Sequence, residues 1–295
     1  MIAFNGGDHG RTLLRLRRTG KVTPDKTGFG PFPGAVFHTL FPTELHGVGV
    51  EDALHSVELP FKNDIEAERV AAFIVEPVQG ESGFYTAPKA FIAGLKALAD
   101  PHGIRLIADE VQTGAGRTGS WFASEQWPVA PDLIASAKSL AGGFPLSTVV
   151  GRADVMDAPA AGGLGGTSTG SPIGCAAALA VLKVFEDAHR LTRCHAMGER
   201  LRGGLQTIAA KARAIGDVRG LVAMLAIQLL KRGDPHQPDA GVAKRVVNEA
   251  AGRGPILPSC GTSGNVIRIL VPRTAPAAHV DESLQILADS FKAVS

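Results

Sequence analysis

Short apolar runs of strand length recur along this chain, separated by longer stretches whose apolar residues return every three or four positions. Residues 72–75, 106–109 and 133–136 are such runs, with apolar side chains at successive positions. A strand of this kind is buried on both faces, which calls for a mostly parallel sheet sandwiched by helices. Further strands are expected at 2–4, 35–37 and 147–150. Between them, residues 88–99 put Phe91, Ile92, Leu95 and Leu98 on one stripe, with Pro88 where a helix can begin. The alanine-rich stretch 172–186 predicts a long helix, and the glycine-rich stretch 158–170 a loop. From about His189 the pattern changes to a helix at 197–212 and strand-like runs at 218–230, 256–259 and 266–271. The expected architecture is α/β, with a large sheet domain over 1–188 and a smaller C-terminal α+β domain over 189–295. A chain of 295 residues, 45% hydrophobic, can bury two such cores.

Charge and composition narrow the function classes. A formal net charge of +2, without long runs of either sign, leaves no electrostatic footprint for nucleic acid. The three cysteines, Cys175, Cys194 and Cys260, are odd in number and widely separated, and they share no metal-ligand spacing with the nine histidines. A reducing cytoplasm and no metal are therefore expected. The most apolar run, 221–230, is interrupted by Gln228 and too short to cross a bilayer, so no membrane partner is expected. The first residues do not read as a secretory signal.

Two strings carry chemistry. The first runs from Ile107 to Gly119 as Ile-Ala-Asp-Glu-Val-Gln-Thr-Gly-Ala-Gly-Arg-Thr-Gly. The second runs from Ala137 to Pro145 as Ala-Lys-Ser-Leu-Ala-Gly-Gly-Phe-Pro. Asp109 emerges from the carboxyl end of an apolar strand, where open α/β sheets place ligands. Lys138 follows another apolar strand and precedes a glycine turn. Read alone, Lys138 is a solvated charge and Asp109 a cap or a magnesium-binding acid. A nucleotide site would need a phosphate loop, and Gly6-Gly-Asp-His-Gly-Arg-Thr12 falls short of one by a residue and by an arginine in place of lysine.

In order, spacing and flanking glycines, the two strings together resemble the class III, or ω-amino acid, aminotransferases. The resemblance spans essentially all 295 residues, as the later part of a usual family member. It implies a fold-type I transferase dependent on pyridoxal 5'-phosphate (PLP). Lys138 becomes the amine that condenses with the cofactor aldehyde and later shuttles a proton, its basicity lowered by desolvation. Asp109 becomes the acid that keeps the pyridine nitrogen protonated. Val111 is expected on the ring face and Gln112 on the phenolic oxygen, with Glu110 supporting from behind. Gly166 and Thr167 are expected at the cofactor phosphate of a neighbouring subunit, which implies a homodimer with shared sites.

For the substrate, the resemblance implies that Arg268 grips a carboxylate and that Glu81 neutralises Arg268 when the substrate has no α-carboxylate. Arg11 matches a position that binds the distal carboxylate of 4-aminobutyrate. The expected reaction moves the amino group of 4-aminobutyrate to 2-oxoglutarate through a ping-pong cycle, giving succinate semialdehyde and glutamate. The alternatives are ornithine, acetylornithine or β-alanine as donor, or a catalytically silent relative that acts in subunit association. Two departures stand out. Asp8 replaces an aromatic residue expected to stack on the ring, and the glycine- and serine-rich phosphate turn expected ahead of the first strand is not found. The missing turn implies a truncated or alternative start, and Asp8 is expected to alter cofactor affinity or reaction direction. His9 is expected to be held by backbone hydrogen bonds.

Overall fold

The computed structural model describes residues 1–187 and 190–294. The expected domain boundary at 188/189 lies outside the described residues. The chain begins with β1 (Ile2–Phe4), α1 (Leu13–Arg18), β2 (Phe37–Thr39), α2 (Val50–Asn63) and β3 (Ala72–Val75). A short hairpin follows, β4 (Val78–Gln79) and β5 (Tyr85–Thr86), then α3 (Lys89–Ala99), β6 (Arg105–Asp109), β7 (Leu133–Ser136), β8 (Thr148–Gly151), α4 (Ala153–Met156) and α5 (Pro172–Asp187). The remainder is α6 (Arg190–Ala209), β9 (Ile215–Leu221), β10 (Met224–Leu229), α7 (Ala240–Ala251), β11 (Ser259–Cys260), β12 (Val266–Ile269) and α8 (Ala277–Val294).

The large sheet has the order β2-β1-β3-β6-β7-β8, parallel throughout except for its last pair. The exception, within the mostly parallel sheet expected, has a physical reason. The link from β7 to β8 is too short for a helical crossover, so the chain turns straight back and pairs antiparallel. That turn carries Lys138. The second strand also starts later than expected, because Ala35 sits in a left-handed turn at φ 56° and only Phe37 comes into register with Ile2.

Helices α2 and α3 cover one face of this sheet. Ala53 and Val57 of α2 and Phe91, Ile92, Leu95 and Ala99 of α3 pack on Ile2, Phe4, Phe73, Val75 and Leu106. Phe4, Phe41 and Phe91 meet edge to face at centroid distances of 5.3 to 6.4 Å, the arrangement that ring quadrupoles favour.

The smaller sheet, β11-β12-β10-β9, is antiparallel. Helices α6, α7 and α8 bury Leu201, Leu205, Val246, Leu287 and Phe291 against Leu225, Ile227, Ile267 and Ile269 on one of its faces. Strand alternation sends Met224, Ala226 and Val266 to the other face, where they meet Val78 and Phe84 of the β4–β5 hairpin. This seam fastens the small sheet to the large one. The 256–259 run forms a strand only at Ser259–Cys260, since Pro255 and Pro258 have no backbone donor for a ladder. No helix among the described residues is long and apolar enough to cross a membrane.

Phe91 is fully buried at the junction of α3 with β1. Phe91→Ala should lower stability by about 3–5 kcal/mol, read as an earlier urea midpoint, and a loss below about 1 kcal/mol would contradict this packing.

Candidate active site

The carboxyl ends of β1, β3, β6 and β7 lie side by side in the large sheet, and each delivers a functional side chain. Asp109 ends β6 and is buried. Its Oδ2 lies 2.8 Å from Nδ1 of His9, which comes from the loop after β1, and its Oδ1 accepts the Val111 amide at 3.1 Å. His9 is therefore held by a side chain rather than by the backbone bonds expected for it. A buried carboxylate needs such partners, and the imidazole and amide meet that need from two directions.

Glu76, directly after β3, is buried beside them. Its two oxygens accept the amides of Asp8 at 2.8 Å and Gly80 at 3.0 Å, tying the β1 loop to the β4–β5 hairpin. Burial first, and then the charge of Asp109, push its carboxyl well above the usual carboxylate range, against the pull of those amides. Asp8 lines the same space, but one of its oxygens is taken by the Gly10 amide at 3.0 Å and the Thr19 hydroxyl at 3.4 Å.

Lys138 opens the turn after β7 with φ 48°, a left-handed conformation that costs a β-carbon-bearing residue about 1 kcal/mol. Lys138 and Asp109 line one cavity of about 330 Å³, together with His9, Glu76, Val111 and Gln112. This volume is at the small end of the range for ligand sites. Lys138 is exposed, as is the Gly142–Pro145 stretch beyond it, so the burial expected around its amine is missing in this arrangement.

Glu110 supports the loop after Asp109 rather than lining the cavity. It is buried, and it accepts the Thr113 hydroxyl and the amides of Ala123 at 3.1 Å and Ser124 at 2.7 Å, bracing the loop that follows the motif.

The Glu81–Arg268 ion pair forms across the seam between the sheets. Arg268 on β12 points to the hairpin face, and its Nη1 lies 2.6 Å from Glu81 Oε1. The same oxygen accepts Gln112 Nε2 at 3.1 Å, which links the pair to the loop after Asp109. Gly80 makes this approach possible, for a β-carbon there would sit 2.4 Å from the Gln112 side chain. Arg268 Nε is buried without a partner, so the guanidinium keeps a donor to spare. Burial raises the Glu81 pKa, but the Arg268 charge and hydrogen bond, with Gln112 and Lys138, outweigh it and hold the carboxyl below its ordinary value.

Other expected residues stand apart. Arg11 is 78% exposed, lies 3.4 Å from Asp25 and does not line the cavity. Gly166 and Thr167 lie in an exposed loop away from it. The site residues that sequence reasoning did not single out are Glu76, Arg15 and Arg18, all in the cavity wall. Glu76 had a signal, since it is an acid directly following a buried strand; the short helix that carries the arginines was not among the expected elements.

Comparison with known proteins is consistent in its direction. A family model described as Aminotransferase class-III matches residues 1–291. The chain is 56% identical over 291 residues to a 5-aminovalerate aminotransferase of Pseudomonas aeruginosa, covering 99% of this chain and 68% of that protein. It is 54% identical over 290 residues to a 4-aminobutyrate aminotransferase of Escherichia coli, covering 98% and 68%. Among solved structures, an amine transaminase from an uncultivated Pseudomonas species in its PLP-bound form superposes with a TM-score of 0.90 at 28% identity, covering 100% of this chain and 69% of the other.

The Glu81–Arg268 pair makes a pH prediction. Because the folded-state value of Glu81 is depressed, its contribution to stability is present above the unfolded value and is lost as pH falls through the folded one. The stability difference between the protein and its Glu81→Gln variant should shrink from about pH 6 to about pH 3 in denaturation midpoints. A difference constant over that range would contradict the pairing.

Proposed function

We propose, on the premise that this chain belongs to the class III aminotransferase family, that it transfers the amino group of 4-aminobutyrate to 2-oxoglutarate, yielding succinate semialdehyde and glutamate. The observation that carries this reading is the shared cavity of Lys138 and Asp109, with the Glu81–Arg268 pair one hydrogen bond away through Gln112. The enzyme is a PLP-dependent aminotransferase. Its donor set fits the cofactor: a primary amine and a partnered buried acid facing one space. When bound, PLP supplies an electron sink and a carbonyl that alternately takes up and gives back an amino group.

The chain's own residues would do the rest. Asp109 would hold a proton at the ring nitrogen, and His9 and the Val111 amide keep its carboxylate in place. Lys138 would hold the cofactor at its aldehyde end, and its amine would carry a proton to and from the substrate carbon. Val111 would pack on the ring, and Gln112 would turn one amide hydrogen to the phenolic oxygen. Glu81 keeps Arg268 neutralised while a substrate lacking an α-carboxylate is present. When 2-oxoglutarate enters, its α-carboxylate takes the arginine, whose spare Nε completes a bidentate grip.

Arg11 would bind the distal carboxylate after exchanging Asp25 for it. The Pseudomonas and Escherichia relatives are named for donors that differ by one methylene, a difference worth about 1–3 kcal/mol in an apolar pocket. 5-Aminovalerate is therefore the competing donor.

We read residues 1–188 as the cofactor-binding domain and 189–295 as the smaller domain. A homodimer would put Gly166 and Thr167 at the partner's phosphate site. Support comes from Leu164 and Ile173, 71% and 67% exposed on and beside that loop, an apolar surface of the kind that marks an interface. The unpaired cysteines suit the cytoplasm.

In a glutamate-forming assay, 4-aminobutyrate should be turned over with 2-oxoglutarate, and Lys138→Ala should lower kcat at least about a thousandfold. Undiminished turnover by that variant would remove Lys138 from the chemistry, and absence of turnover by the parent protein would favour the silent-relative reading. Replacing Arg11 by Gln should raise KM for 4-aminobutyrate about tenfold or more and leave kcat largely unchanged. An unaltered KM would take Arg11 out of substrate binding.

A further inference from the structure

Two strings of the chain cross at Glu81. Gln112, from the loop after β6, and Arg268, from β12, both donate to Glu81 Oε1, at 3.1 and 2.6 Å. The same strings cross again five residues further along each, through side chains with no part in the chemistry derived above. Nη1 of Arg117 donates to the Val271 carbonyl at 2.8 Å, and Nη1 of Arg273 donates to the Ala115 carbonyl. The contacts are reciprocal, since each string supplies one guanidinium and one carbonyl. The backbone takes an uncommon path to make them. Ala115 is buried in a left-handed conformation at φ 51°, which disfavours a β-carbon. At Gly116, φ 79°, a β-carbon would sit 2.3 Å from the Phe185 ring, over which the Arg273 guanidinium lies at 4.9 Å. No carboxylate lies within ion-pairing distance of either arginine among the described residues. Burial depresses the pKa of Arg117, and burial first and then the Arg117 charge bring that of Arg273 down to about 10. Two half-buried like charges contribute little to stability. What they provide is reach and direction, because a planar guanidinium fixes the line along which it meets a carbonyl on another string.

We infer that Arg117 and Arg273 are positioning residues that keep Arg268 in register with the loop after Asp109 while Glu81 is out of its pair. This rests on the reading of Glu81 and Arg268 given above and deepens it. The crossing at Glu81 is the breakable one. A substrate α-carboxylate that takes Arg268 displaces the oxygen that Arg268 and Gln112 share. Of the two crossings only the arginine clasp then remains, and Arg268 has to present its fork to the incoming carboxylate from a strand whose offset to that loop is still set. Beyond the clasp, Arg193 of α6 donates to the Thr274 and Ala275 carbonyls at 3.1 and 2.7 Å, so the far end of the Arg273 string is tied to its own helix layer. While a donor without an α-carboxylate is bound, Glu81 stays and both crossings hold. The clasp therefore acts on 2-oxoglutarate and little on 4-aminobutyrate.

The test uses Arg117→Met and Arg273→Met, which keep the apolar stem and lose the donors. Each should raise KM for 2-oxoglutarate about tenfold and leave KM for 4-aminobutyrate within about twofold. An equal rise for both substrates, or none for either, would overturn the inference, since a loss of general stability does not choose between them. A second readout needs no cofactor. In urea denaturation of the cofactor-free protein, Glu81→Gln opens one crossing and Arg117→Met the other, so the double variant should lose more of the midpoint than the two single losses added together. Additive losses would mean that the crossings do not hold the same strings, and would overturn the inference. Should the methionine variants fail to fold, Arg117→Lys and Arg273→Lys, with a point charge in place of a planar fork, should show the same split in weaker form. An even response in them would overturn the inference. A parent protein that reacts with neither substrate would overturn the substrate reading and this inference with it, whereas a reacting parent with no split in its variants would overturn this inference alone.

Discussion

The hydrogen bond between His9 and Asp109 is the contact on which the rest of the site depends. It joins the loop after β1 to the last residue of β6 across the intervening strand β3, and both partners are buried. A carboxylate at that depth is costly unless its oxygens are satisfied, so the imidazole and the Val111 amide together make it affordable to keep an anion at the strand end. With Asp109 fixed, Glu76 fills the space between, and its two accepted amides set the path of the loops on either side. The cavity is what remains between these loops and the turn that starts at Lys138.

A second constraint is the way the two sheets meet. The small antiparallel sheet gives one face to its own helices and the other to the β4–β5 hairpin. Period-two alternation along β12 does this residue by residue: Ile267 and Ile269 go to the helices, Val266 and Arg268 to the hairpin. Arg268 thereby meets Glu81, which the hairpin turn presents, and Gln112 ties both to the loop after Asp109. The acid that would govern the cofactor and the ion pair that would govern the substrate are thus one hydrogen-bonded chain away from each other. That connectivity is what a two-stage transfer asks of a site.

Much of this was legible in the sequence because it depended on local pattern. The consecutive apolar residues of β3, β6 and β7 announced buried strands, and the strings around Asp109 and Lys138 were specific enough to carry a family resemblance. What stayed hidden depends on long-range partners. The Nδ1 of His9 could not be assigned to Asp109 from a distance of a hundred residues. Helix α2 was obscured by Pro60 within it and by a sparse apolar stripe. The antiparallel return of β8 is a matter of connection length rather than of strand composition. Arg15 and Arg18 carried no signal of their own, and only the fold shows that their helix lies along the cavity wall. Arg11 is the opposite case, expected at the site and found exposed against Asp25.

The central claim is that Lys138 and Asp109 serve one molecule of PLP in one cavity. The most direct measurement is borohydride fixation of PLP on the purified protein, followed by mass analysis of its peptides. The account predicts one cofactor per chain, attached at Lys138, with saturation that follows the absorbance change. Labelling spread over several lysines, or saturation at a lysine other than Lys138, would contradict it.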